Sequence, residues 1–173
     1  MITLIGILGV IAIPRFLGLQ DDAQAASLQS VASGFSTGVV IAKAEWLADG
    51  NSVSRATNVS TTVVVDGVGF NVNQFGWLDN MTGGSLSLND QTALNCQEVF
   101  DGILQSPPRT TIRADLESRR QATYAASVID GNVSDRCRYE LIVQANDEAE
   151  DAEFYFEYEL STGRVITTIP DDL

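Results

Sequence analysis

Cys96, Cys137 and the carboxylate run from Asp147 to Glu153 are the residues whose types and spacing have most chemistry to offer. The two cysteines stand about forty residues apart, with no CxxC spacing and no histidine anywhere in the chain. That removes a zinc site and a dithiol redox motif, and leaves either two buried free thiols or one disulfide. The run Asp147-Glu148-Ala149-Glu150-Asp151-Ala152-Glu153 has the oxygen ligands that calcium takes, but lacks the spaced Asp/Asn ladder with a glycine that a calcium loop requires. A solvated connection between strands is the favoured reading.

Without histidine, neither an Asp-His-Ser nor a Cys-His arrangement can be built. No Walker loop and no GxGxxG is present, so the phosphate-cradling motifs are missing too. Carboxylates are so plentiful that no pair stands out as an acid and base couple. Asn58-Val59-Ser60, Asn80-Met81-Thr82 and Asn132-Val133-Ser134 match the glycosylation sequon, a triplet that chance often supplies. These observations point away from an enzyme and imply no cofactor and no metal.

The segment that organises the chain is Met1 to Leu19, MITLIGILGVIAIPRFLGL. It is apolar almost without interruption to Ile13, meets Pro14 and Arg15, and resumes at Phe16-Leu17-Gly18-Leu19. The residues before Pro14 would cover ~20 Å as a helix, against a hydrocarbon core of ~30 Å, so alone they are short for a span. No basic region precedes the run and no small-x-small cleavage site follows it, unlike a signal peptide. A buried core helix is the ordinary explanation for such a run. A helix apolar all round must be surrounded by protein or lipid, and this one sits at the start of the sequence, which favours a membrane-directed stem. An oxidising compartment then favours the disulfide over free thiols.

Gly6-Ile7-Leu8-Gly9-Val10-Ile11-Ala12-Ile13-Pro14-Arg15-Phe16 resembles the second half of the N-terminal segment of type IV pilins and pseudopilins, an apolar helix that runs into a proline and then an aromatic. Phe16-Leu17-Gly18-Leu19-Gln20-Asp21-Asp22-Ala23 is similar to the corresponding stretch of the mannose-sensitive haemagglutinin type, and Gly34 to Val39 with Ala44-Glu45-Trp46 is similar to the minor pilin of that system. Family members open with an aromatic or Met, then Thr-Leu-Ile-Glu and a longer run. Met1 to Ile5 echoes that opening, but Gly6 stands where the glutamate would be, and an ungapped match at Pro14 puts Met1 inside the run. Either the natural N-terminus lies upstream or the stem is shortened or engineered; the first is favoured, since about eight more residues would bring the run near membrane thickness.

The resemblance implies a structural subunit that polymerises into a surface filament for attachment and biofilm formation. Its filament-core helix would use Ile2, Leu4, Ile5, Ile7, Leu8, Val10, Ile11, Ile13, Phe16 and Leu17. Cys96 and Cys137 would correspond to the disulfide bounding the family's C-terminal region. The implied partners are further copies or related pilins in a helical filament, the inner membrane before assembly, and the pilus assembly machinery. A type II secretion pseudopilin is the nearest alternative. A tethered or secreted adhesin is the alternative from another class. Pro14 removes a helical donor and Gly18 weakens helicity beside it, so Pro14 to about Asp22 is expected to bend or melt when stems pack together.

The 173 residues suffice for one domain plus the stem. A formal charge of −13, with ten Lys and Arg, disfavours nucleic acid and anionic lipid as partners. Leu28, Val31, Phe35, Val39, Ala42 and Trp46 recur at helical steps, and Asp49-Gly50 marks a stop. Asn51 to Thr62 reads as a surface loop. Thr61 to Val65 and Phe70 to Gln74 read as a hairpin about Asp66-Gly67, and Phe75-Gly76-Trp77-Leu78-Asp79 resembles a turn of these pilins. Asn89-Asp90 is expected to cap a short helix carrying Leu94, Val99 and Leu104, ended by Pro107-Pro108. Strands are expected at Tyr124 to Ile129, Arg138 to Gln144, Phe154 to Leu160 and Val165 to Ile169, with Thr110 to Arg120 unassigned.

The expected fold is therefore α+β, the type IV pilin fold: a long N-terminal α-helix, kinked or melted near Pro14, packed on an antiparallel β-sheet. Its parts are an apolar helical stem (1–24), an amphipathic half packed on the sheet (25–50), and a β-rich head with a disulfide-bounded C-terminal region (51–173).

Overall fold

Ala25, Leu28, Ala32, Phe35, Val39, Ala42 and Trp46 are all buried, and they follow one another at alternating steps of three and four. That stripe fixes one side of a helix on the core. The computed structural model describes residues 2–53, 61–83, 88–112, 115–144 and 152–170, with side chains from Leu19 onward. Helix α1 runs Ile2–Ala48, 47 residues, or ~70 Å at 1.5 Å per residue. It passes through Pro14 and Gly18 as one α-helix in the single chain, with no melted stretch. The melt expected there belonged to the packed state. Gly50, at φ +83°, supplies the left-handed residue that ends the helix, and its N–H donates to Leu47 O at 3.1 Å.

Two sheets complete the α+β architecture, where one antiparallel sheet was expected. The first is antiparallel, in the order β1 (Thr61–Val65), β2 (Val68–Val72), β3 (Leu78–Asn80). Asp66 and Gly67 join β1 to β2 with φ of 50° and 84°, the paired positive values of a tight hairpin. The second sheet runs β4 (Thr110–Thr111), β5 (Tyr124–Ile129), β6 (Arg136–Leu141), β7 (Tyr155–Glu159), β8 (Val165–Thr168). Its β4–β5 pair is parallel and the other pairs antiparallel. The expected strand starts at Arg138 and Phe154 shift by a residue or two, and Thr61 and Thr62 belong to β1 rather than to the preceding loop.

Helix α2 (Ala93–Ile103) is capped by Thr92, whose hydroxyl accepts from Asn95 N, and not by Asn89-Asp90. The reason is tertiary. Asp135 N donates to Leu88 O, Gln91 N donates to the Asp135 carboxylate, and Gln91 Nε2 donates to Asp79 O. These bonds hold residues 88–91 against β3 and the approach to β6, so the helix begins after them. Leu104 is the extended C-cap residue, one position beyond the helix. The unassigned stretch becomes β4 and a short α3 (Leu116–Gln121), capped by Asp115 through Ser118 N. Buried Arg119 of α3 pairs with buried Glu140 of β6 at 2.6 Å.

Candidate functional site

The surface most open to a functional reading is α1 itself, and the head is built to hold its second half. Phe35 lies at the centre of the core. Its ring centroid is 6.2 Å from Phe100 on α2, 5.2 Å from Tyr139 on β6, and 5.5 Å from both Phe156 and Tyr158 on β7. Burying an aromatic side chain stabilises by about 1.5–3 kcal/mol, and this one bridges three elements. Tyr139 Oη donates to Cys96 O at 2.8 Å and Tyr158 Oη donates to Leu78 O at 2.9 Å, so the phenols are satisfied within the core. Burial pushes both phenols upward in pKa, and it pushes Tyr124 up to about 12.

A second anchor holds the C-terminal end of α1. Lys43, the single lysine, donates from Nζ to Phe75 O and lies 4.5 Å from the Trp46 ring and 4.9 Å from the Trp77 ring. Desolvation between those rings lowers its pKa. Trp46 Nε1 donates to Thr61 Oγ1 at 2.6 Å, which ties the same turn of helix to β1. Gly76, at φ +79°, permits the close approach: a Cβ there would stand 2.5 Å from the Trp46 ring. Asn73 then locks the turn. Its Oδ1 accepts from Phe75 N and Trp77 N, and its Nδ2 donates to Leu160 O at the end of β7. Sequence reasoning missed this arrangement, because Lys43 falls between the recurring apolar positions of the helix; the usable signal was a lone lysine three residues before a tryptophan.

Toward the N-terminus the seat ends. Leu19 through Ala23 are exposed, with Leu19 63% exposed, and burial begins at Ala25. Ile2, Leu4, Ile5, Ile7, Leu8, Val10, Ile11, Ile13, Phe16 and Leu17 lie on the helical backbone, as do Pro14 and Gly18, while their side chains are outside the described residues. By length and composition, Leu19–Ala48 is apolar enough to cross a membrane, though a third of its most apolar window is buried in the head.

Cys96 on α2 and Cys137 on β6 form the disulfide, with Cα atoms 5.4 Å apart. It joins the helix to the centre of the second sheet. The acidic run lies outside the described residues as far as Asp151. Among the described residues no three His, Cys, Asp or Glu side chains gather as a metal site would need. Of the sequons, Asn58 is outside the described residues, Asn132 is exposed, and Asn80 is fully buried, accepting from Asn71 Nδ2 at 2.6 Å. The grooves include one of about 370 Å³ lined by Gln97, Arg109, Thr110 and Ser118, and one of about 860 Å³ between the β1–β2 turn and α2. Neither sets a nucleophile beside a base.

Comparison of the chain with protein families, curated proteins and solved structures finds no match.

Proposed function

We propose that this chain is a structural subunit of a type IV pilin-like filament, most similar to the mannose-sensitive haemagglutinin type. The observation that carries the reading is the division of α1. From Ala25 to Trp46 the helix is the central element of the head's core, while the same unbroken helix continues N-terminally as an apolar run from Ile2 to Ile13. A helix apolar on all sides needs lipid or other helices around it. In this reading the stem holds the subunit in the inner membrane, then exchanges lipid for the stems of other copies as the filament grows. Head-to-tail contacts of that kind extend as an open helix rather than closing into a ring. The disulfide supports the pilin reading over a secretion pseudopilin, whose members frequently lack it. The acidic head would face outward, with attachment as the fibre's role and no catalytic one.

The experiment is the intact mass and N-terminal sequence of the protein in the sheared surface fraction of its native cells. A fibre-associated chain with a processed N-terminus and methylated amine is the expected result. A chain beginning at Met1 and found only in soluble form would sink the filament reading, and a tethered or secreted binding module would replace it.

A further inference from the structure

The groove between the β1–β2 turn and the C-terminal half of α2 has a volume of about 860 Å³, within the roughly 300–1,000 Å³ of small-molecule sites. Val65, Val68, Met81, Ile103 and Leu104 give it an apolar floor, each packed on the core yet only partly buried. Gly102 shapes that floor: a Cβ there would stand 2.6 Å from Met81 Sδ and 2.9 Å from the Phe70 ring, so the absence of a side chain lets α2 approach the sheet. The charged residues of the lining are Asp66, Glu98 and Asp101, with no Lys or Arg among the described residues. Glu98 and Asp101 stand three positions apart on α2, where like charges are neighbours and destabilise a helix. Asp101 lies in the last turn, at the negative end of the helix dipole, and that turn holds no basic residue. Glu98 is fixed in place: its Oε2 accepts from Met81 N at 2.9 Å and Thr82 N at 3.1 Å, and its Oε1 accepts from the Thr82 hydroxyl. Asp101 makes side-chain hydrogen bonds with Thr110 and Gln97, yet desolvation outweighs them and raises its pKa. Lys43, Arg119, Arg136 and Arg138 are engaged elsewhere. An apolar floor thus adjoins negative charge that no described cation offsets.

We propose that this groove binds a small aliphatic amine, its hydrocarbon part on the apolar floor and its ammonium group against Glu98 and Asp101. An ammonium is a compact charge with three donors, so it suits carboxylates that arrive from separate backbone positions, whereas a guanidinium is matched to one planar, bidentate partner. Asp66, on the β1–β2 turn at the other side of the groove, adds to the attraction. The cation relieves like charges held around one cavity, and the hydrocarbon covers apolar surface left open to water. The site uses residues of the head alone and stands whether or not the chain polymerises.

The test uses the full disulfide-bonded chain in nonionic detergent, with hexylammonium chloride as the probe and hexanol as its uncharged counterpart, followed through backbone amide shifts. Hexylammonium should move the amides of Val65, Val68, Met81 and Gly102. It should bind at least about tenfold more tightly than hexanol, as hydrogen bonds to charged groups imply. Asp66→Asn together with Asp101→Asn removes two charges while keeping both side-chain shapes, and asparagine accepts the positive φ at position 66. That variant should stay folded and lose most of the preference, leaving the two probes within about threefold of each other. Partition into detergent is common to parent and variant and cancels in their ratio. Equal binding of the two probes to the parent, or no binding of either, would overturn the proposal whatever the variant does. So would shifts confined to other parts of the surface, or an undiminished preference in the variant, which would assign the attraction to the chain's general negative charge.

Discussion

Truncating Phe35 to alanine removes the ring that touches α2, β6 and β7 together, at a site with no exposed surface. The expected loss is about 3–5 kcal/mol. Urea unfolding of the disulfide-intact protein measures it; a loss below about 1 kcal/mol would mean that the neighbouring aromatics collapse into the space. The buried phenols add a pH dependence. Tyr124, Tyr139 and Tyr158 all have folded pKa values above the ordinary value of 10, through burial first of all. A raised folded pKa stabilises the fold fully below the unfolded value, and the benefit is lost as pH climbs through the folded one. Stability should hold as pH approaches 10, then fall as pH rises through the value of about 12 for Tyr124. Tyrosinate absorbance from these three side chains should rise together with the loss of near-ultraviolet circular dichroism. Titration of all three at ordinary pKa while the fold persists would refute the burial argument. Lys43 runs the other way: its lowered pKa means that unfolding binds a proton, so its penalty is relieved as pH rises towards 10.5.

At the scale of elements, the join between α1 and the rest depends on one turn and one covalent link. Gly76→Ala would put a Cβ into Trp46 and Lys43 at a positive φ, and should cost about 1–3 kcal/mol while loosening the C-terminal end of α1. Amide exchange at Trp46 to Ala48 would show this, and unchanged protection would discount the anchor. Replacing Cys96 and Cys137 by alanine opens a closed loop of 41-residue separation, with an expected loss of about 4 kcal/mol in the chain-entropy account. The elements also show what the sequence made legible. The buried stripe of α1 was readable because many helical turns repeat it, and β5 because Tyr124–Ile129 is a β-rich run bounded by turn residues. The β4–α3 segment was not. A strand of two residues and a helix of six are too short to show a period, and they exist because Thr110 pairs with Tyr124 and Arg119 meets Glu140. The cap of α2 failed for the same kind of reason: Asn89-Asp90 has suitable chemistry, but contacts with Asp135 and Asp79 decide where the helix starts. The Lys43 anchor combines three segments distant in sequence, which no local pattern carries.

For the whole molecule, charge and stem pull against each other. A formal charge of −13 is carried by a chain whose stem contributes only Arg15, Asp21 and Asp22, so the excess negative charge belongs to the heads. In the proposed filament, packing stems side by side would bring like-charged heads together, and their repulsion would oppose assembly. Exposed charges are screened over about 10 Å at 0.1 M salt and about 3 Å at 1 M. Raising salt should therefore promote growth and stability of the proposed filament instead of dissolving it, while the stemless head stays monomeric throughout. Sedimentation of sheared filaments across a salt series, beside a head lacking residues 1–18, measures both. Dissolution at high salt would show that the heads hold the fibre by opposite charges, and the stem would lose its place as the source of cohesion.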